Sequence, residues 1–290
     1  MTVEAGPPRP NSTPPPLVRR GRLRFGSAEA AIFETFVVPR YLSLFGELAL
    51  EMMVESEDAQ LVHLHCRTGY PDRGVVLKLP GAYVVGFDSS AAALELARAK
   101  AATMPGMVSD YRLVTEFPTP LPEAAFSHAL TLHPLGELDD RGEILSESAR
   151  LLAPHGQVLV AMPMRGSFQE FADLLREYSL KHDDSAVGDA VEKAAQARPS
   201  IEVLGVELEE AGFDFIDLAL RPTTLHFRSG RDLFEDPIAR LVILPELRLE
   251  LGAGEHEAAL AYVRDAIDKY WSDGSFELTV NVGCATGRKI

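Results

Sequence analysis

LVHLHCRTGY, Leu61 to Tyr70, is the stretch on which the fold turns. Its first half, LVHLH, has the composition and length of a short buried strand. Its second half falls where a doubly wound α/β sheet places its first strand-to-helix turn. That turn is normally built of glycines, because only a residue without Cβ lets the backbone approach a bound molecule closely. Here Gly69 remains, while His65 and Arg67 stand where two further glycines belong. The scaffold is intact around an altered turn.

Strand and helix signals alternate downstream. Pro71 begins a helix running to about Leu79, and YVVGF (Tyr83–Phe87) is a second strand. Ser89 or Ser90 caps an alanine-rich helix to about Met104. Tyr111–Val114 is a short third strand and Phe126–Leu132 a fourth; a helix over Glu143–Leu152 leads to a fifth, QVLVAM (Gln157–Met162). Such alternation implies right-handed crossovers and a mostly parallel sheet covered on both faces. Two helices are expected from Phe168 to about Ala197 and another over Ile201–Ala211. Phe215–Leu220 and Phe276–Cys284 read as strands separated by helices at about 229–270. The alternating run SFELTVNVGCATG reads as an edge strand. Before Leu61, Ala31, Phe33, Phe36 and Val37 recur at helical spacing, and Pro39 kinks or restarts a helix continued by Tyr41, Leu42, Phe45, Leu48 and Met52.

Residues 1–26 are expected to form a disordered Pro/Arg-rich tail, and 27–290 one domain with helical insertions at about 168–211 and 229–270. In the tail five arginines (Arg9, Arg19, Arg20, Arg22 and Arg24) face one acid, Glu4. It reads either as a solvated segment or as a docking segment for an acidic partner. The whole 290-residue chain carries a net charge of −15, which argues against nucleic acid as its ligand. No apolar run is long enough to span a bilayer and no secretory leader is evident. Two distant cysteines, Cys66 and Cys284, suit a reducing cytoplasm.

In this order, FETFVVPRYLSLF, VVGFDSSAAALELARAKA, AFSHALTLHPLGELDD, ILSESARLLAPHGQVLVAMP and KYWSDGSFELTVNVGCATGR resemble the class I S-adenosylmethionine-dependent methyltransferases. The small-molecule group that includes quinone and malonyl-carrier-protein methyltransferases is the nearest in kind. The resemblance implies a Rossmann-like sheet, seven strands in the family, with an antiparallel closing strand. It also implies an adenosylmethionine site. The family's first motif runs acid-x-Gly-x-Gly-x-Gly, and aligned on it are His63, His65, Arg67 and Gly69. Asp88 lies about twenty positions on, at the end of the second strand, where the ribose hydroxyls are met; as a plain helix N-terminal acid it would gain from the dipole alone. After the third strand, where the family tends to have an Asp for the adenine amino group, this chain has Thr115 followed by Glu116. Glu116 either substitutes or is a solvated loop residue.

The departures fall on the working positions. His65 adds bulk, Arg67 adds a long cation beside a sulfonium, and His63 removes an acidic anchor for the cofactor's ammonium end. If the former glycines have positive φ, each substitution also carries about 1–3 kcal/mol of backbone strain. Two functions therefore stay open. One is a non-catalytic relative with an impaired adenosylmethionine site and no cofactor, acting on a protein partner or small ligand. The other is an active methyltransferase on a small or carrier-bound metabolite, in which catalysis is mainly placement of a nucleophile in line with the methyl group. No catalytic side chain is assigned. His63 and His65, two apart on a strand, could share a face with His128 or His133 and hold zinc or iron, or be neutral core histidines. His133 could serve as a general base. Cys66 is either an activated thiol or core packing.

Overall fold

A computed structural model of the chain describes residues 25–134, 141–251, 256–272 and 274–290, with 249 and 250 in backbone only. The expected tail up to residue 24, and the LGELDD part of AFSHALTLHPLGELDD, lie outside the described residues. Phe25 packs on the domain: its ring is 5.0 Å from that of Phe33, and its carbonyl accepts from Ser90 Oγ at 2.8 Å.

Seven strands form one sheet in the order β3-β2-β1-β4-β5-β7-β6. These are β1 (Gln60–Leu64), β2 (Tyr83–Asp88), β3 (Val108–Leu113), β4 (Phe126–Leu132), β5 (Leu152–Pro163), β6 (Phe213–Phe227) and β7 (Phe276–Lys289). The first five are mutually parallel, and β7 runs antiparallel to both β5 and β6. β7 is thus an interior strand and the edge belongs to β6, the reverse of what the alternation in SFELTVNVGCATG suggests. The pattern of burial accounts for the difference: Phe276–Val280 alternates, but Val282–Ala285 is continuously buried, as a strand covered on both faces must be.

Side-chain alternation divides the core in two. Leu61, Val84, Leu130, Leu132, Leu159 and Ala161 face one apolar cluster; Val62, Leu64, Val85, Ala129, Val158 and Val160 face the other. The first is covered by Phe33–Leu42, which continues α1 (Ser27–Ile32), and by α2 (Ser43–Met52) and α3 (Asp72–Lys78), together with α6 (Gln169–His182) and α7 (Ser185–Ala197). α9 (Gly230–Glu235), α10 (Leu244–Leu251) and α11 (Glu257–Tyr270) complete that layer. The second is covered by α5 (Arg141–Leu151) and α8 (Ile201–Glu210). α4 (Ala91–Ala102) is capped by Ser90, whose hydroxyl accepts from Ala93 N at 3.2 Å, and packs on Tyr111. Trp271 meets Phe276 edge-on at 5.1 Å, anchoring the entry to β7.

Between α1 and α2 the helix does not restart at Pro39. Phe33–Leu42 widens into a π-helix, and Pro39, which has no N–H to give, is absorbed there. This turn buries Tyr41 completely against the carboxyl end of β4.

Candidate functional site

β1 stops at Leu64, and the chain then takes left-handed backbone at every second residue: His65 (φ 55°), Arg67 (φ 48°) and Gly69 (φ 75°). These are the positions of the missing and surviving glycines, so the turn keeps its glycine path without its glycines. Each non-glycine residue there costs about 1–3 kcal/mol unless its surroundings hold it. The hold is visible. Cys66 N donates to Phe87 O at 2.8 Å, Arg67 N to Asp88 Oδ2 at 2.9 Å, and Gly69 N to Cys66 O at 2.8 Å. Gly69 itself has no room for more: a Cβ would come within 3.1 Å of Ala97 Cβ and the Tyr111 hydroxyl.

The side chains fill what glycine leaves open. Arg67 is 6% exposed and turns inward, donating through Nη1 to Leu132 O at 2.8 Å and through Nη2 to His133 O. Its guanidinium lies 5.8 Å from the Phe33 ring. A buried cation is costly unless bonded, and the carbonyls at the end of β4 supply the bonds. His65 is half-buried and meets the Phe117 ring edge-on at 5.8 Å. His63 pairs through Nδ1 with Asp72 Oδ1 at 2.6 Å, and Asp72 Oδ2 accepts from the Tyr111 hydroxyl at 2.7 Å, all buried. An acid does serve this turn, but from the first residue of α3, where the helix dipole favours it. Burial, with Asp72 beside it, pushes the Tyr111 hydroxyl far up, so it stays a phenol. Burial together with Asp88 and Asp72 raises the Cys66 thiol as well. It packs with Leu94, Ala97 and Tyr111, which removes the activated-thiol reading.

At the end of β4 a second buried group forms. His133 Nε2 donates to Glu246 Oε1 at 3.1 Å, and Arg198 Nη2 donates to Glu246 Oε2 at 3.1 Å. Tyr41 and Phe45 flank the imidazole, each with its ring centroid 5.6 Å away. Burial pushes His133 below its ordinary pKa, with Arg67 and Arg198 adding to the effect against the pull of Glu246. Burial alone would raise the Glu246 carboxyl, but its pairing with His133 and Arg198 outweighs this and holds it well below the usual range. At neutral pH the ring is therefore neutral and the carboxylate is charged. His128, also lowered by burial, bonds Val54 O through Nε2 at 2.9 Å.

Both histidines bind protons less readily when folded than unfolded, so acidification below about pH 6.5 destabilises the fold. Each contributes a slope of up to about 1.4 kcal/mol per pH unit until its folded pKa is passed. Glu246 adds its loss only below about pH 4.3, where the unfolded carboxyl begins to protonate. His133→Gln should remove one histidine's share, as read by urea denaturation at pH 5, 6 and 7. An unchanged gap between variant and wild type across that range would refute the assignment.

Residues 65–160 match the family described as "Methyltransferase domain". The fold aligns with a candidate methyltransferase from Bacillus halodurans at a TM-score of 0.54 and 15% identity, covering 84% of this chain and 98% of the other. This is the class I methyltransferase fold. The [4+2]-cyclase SpnF shares the methyltransferase fold with this chain at a TM-score of 0.52 and 17% identity, covering 94% and 88% respectively. A phosphoethanolamine N-methyltransferase from Haemonchus contortus, solved with S-adenosylhomocysteine, aligns at 0.51 and 15% identity over 91% of this chain and 57% of its own.

On the methyltransferase fold, His63, His65, Arg67, Gly69 and Asp88 come together at the carboxyl ends of β1 and β2. Asp88 is buried and committed to backbone, accepting from Arg67 N and from Ser90 N at 2.8 Å. Glu116 is exposed on the segment beyond β3, next to the Phe117 that meets His65. His63 and His65 do not share a face, because the strand ends between them. His128 sits opposite Leu61 in register, toward the other end of β4 from His133. Among the described residues no three His, Cys, Asp or Glu side chains are grouped to hold a metal. Asp72, Tyr111, Tyr41, Arg198 and Glu246 were not legible in the sequence as members of the site. Only Asp72 left a local signal, an acid opening a helix just after Pro71.

Proposed function

We propose that this methyltransferase-fold chain has an impaired adenosylmethionine site and acts by binding a small ligand or a partner protein without transferring a methyl group. The observation that carries this is Arg67. Its guanidinium, on backbone that glycine would occupy without strain, already uses the β4 carbonyls that an amino-acid ammonium would need. It also sets a cation beside the place for a sulfonium. At about 4 Å, two like charges repel by about 1 to 4 kcal/mol, depending on how far water screens them. Each 1.4 kcal/mol is about tenfold in affinity. The residues present thus fit adenosylmethionine poorly. The SpnF likeness supports a fold that serves chemistry other than methyl transfer.

An active methyltransferase is the second reading, favoured by Asp88 at the end of β2 and by the glycine-like path of the turn. S-adenosylmethionine is the cofactor in that case. Isothermal titration of the full chain with S-adenosylmethionine and S-adenosylhomocysteine separates the two. No saturable heat is expected up to millimolar ligand, and a micromolar Kd for either compound overturns the proposal. The buried free thiols of Cys66 and Cys284 support a cytoplasmic setting, and no described helix is long and apolar enough to cross a membrane.

A further inference from the structure

A cavity of about 350 Å³ opens between α6, α7 and α10, and no residue of the strand-to-helix turn lines it. That volume is in the range of small-molecule sites. Its walls are apolar, with Phe171, Leu175, Val191 and Leu247 among them, yet they carry three arginines and no carboxylate. In a chain of net charge −15 this concentration of guanidinium is unusual. The three are not equivalent. Arg176 is neutralised by Asp173 at 2.7 Å and Glu192 at 2.6 Å. Arg198 is held from behind by Glu246 and lies over the Phe168 ring at 5.0 Å, while its buried Nε has no hydrogen-bond partner. Arg165, exposed at the rim, has no carboxylate partner among the described residues. A guanidinium fixed in the wall by Glu246 and, at the rim, a cation without a carboxylate partner among the described residues, both set against apolar walls, complement a ligand with an anionic head and an apolar body.

We infer that this cavity binds an amphipathic carboxylate, with the carboxylate taken by Arg165 and Arg198 and the chain laid between α6 and α7. The inference names the ligand class within the binding role proposed above and rests on that reading. The test is calorimetric titration of the full chain with decanoate, decanol and decyltrimethylammonium. Decanoate should bind saturably in the micromolar range, decanol at least tenfold more weakly, and the cation not at all. Arg165→Gln should weaken decanoate at least tenfold and leave decanol unchanged, since the side chain is exposed and makes no internal bond. Ala195→Trp, which fills the cavity from α7, should abolish decanoate binding. Circular dichroism and thermal melting of both variants should match the wild type. Absence of decanoate binding, equal affinity for decanol, or binding that survives Ala195→Trp in a folded variant would each overturn the inference. Adenosylmethionine binding, measured separately, overturns the non-catalytic reading without altering the decanoate result, so the two failures are told apart.

Discussion

Glu246→Ala is expected to destabilise the protein by about 3–5 kcal/mol, the range for breaking a buried ion pair from one side. Glu246 is 1% exposed and both of its oxygens are engaged, one by His133 and one by Arg198. Alanine would leave the Arg198 guanidinium without its counter-ion, with the side chain only 11% exposed. It would also leave His133 Nε2 without an acceptor, although Nδ1 of the same ring already has no hydrogen-bond partner. Relaxation is limited, since Tyr41, Phe45 and Phe168 are packed around the group. Glu246→Gln should cost less, because an amide oxygen can still accept from one neighbour. Urea denaturation of both variants measures this. A loss below about 1 kcal/mol for alanine would mean that water or a shifted side chain replaces the acid, and that the group is not the unit described.

The second large effect is a gain. Replacing His65 and Arg67 together by glycine should tighten S-adenosylmethionine binding by about 3 kcal/mol, roughly a hundredfold. Both positions already have the left-handed backbone that glycine adopts freely, so the turn has no need to rearrange. Removing Arg67 frees the Leu132 and His133 carbonyls and withdraws a cation; removing His65 withdraws bulk. Stability should change little, because relief of strain at two residues offsets the lost bonds of Arg67. Titration of the double variant and of Arg67→Gly alone checks the mechanism, with most of the gain expected from the single change. An unchanged, undetectable affinity in a folded double variant would show that these side chains are not what keeps the cofactor out.

The sheet was legible because its signals are local. Short apolar runs in Leu61–Leu64 and Tyr83–Phe87, a serine cap before the alanine helix and a glycine-type turn all lie within a few residues of what they specify. The site was legible only up to the same range. His65 and Arg67 could be recognised as misfits in the turn, but not where their side chains go. Arg67 reaches carbonyls 65 and 66 residues away, and His133 meets an acid 113 residues downstream. Nothing in LPELR marks Glu246 as the partner of an imidazole. The expectation that His63 and His65 face one way failed for a local reason: period-two reasoning holds within a strand, and a positive φ at His65 ends it. The place of β7 failed for a distant one, because neighbours in a sheet are chosen by tertiary contacts.

That place has a consequence for damaged forms of the protein. β7 is hydrogen-bonded to β5 on one side and β6 on the other. A premature stop before Phe276 would therefore not trim a margin; it would split the sheet and bare two lengths of unpaired backbone, each able to recruit a foreign chain. Shortened products of this protein would be expected to aggregate or be degraded, and not to persist as partly working fragments.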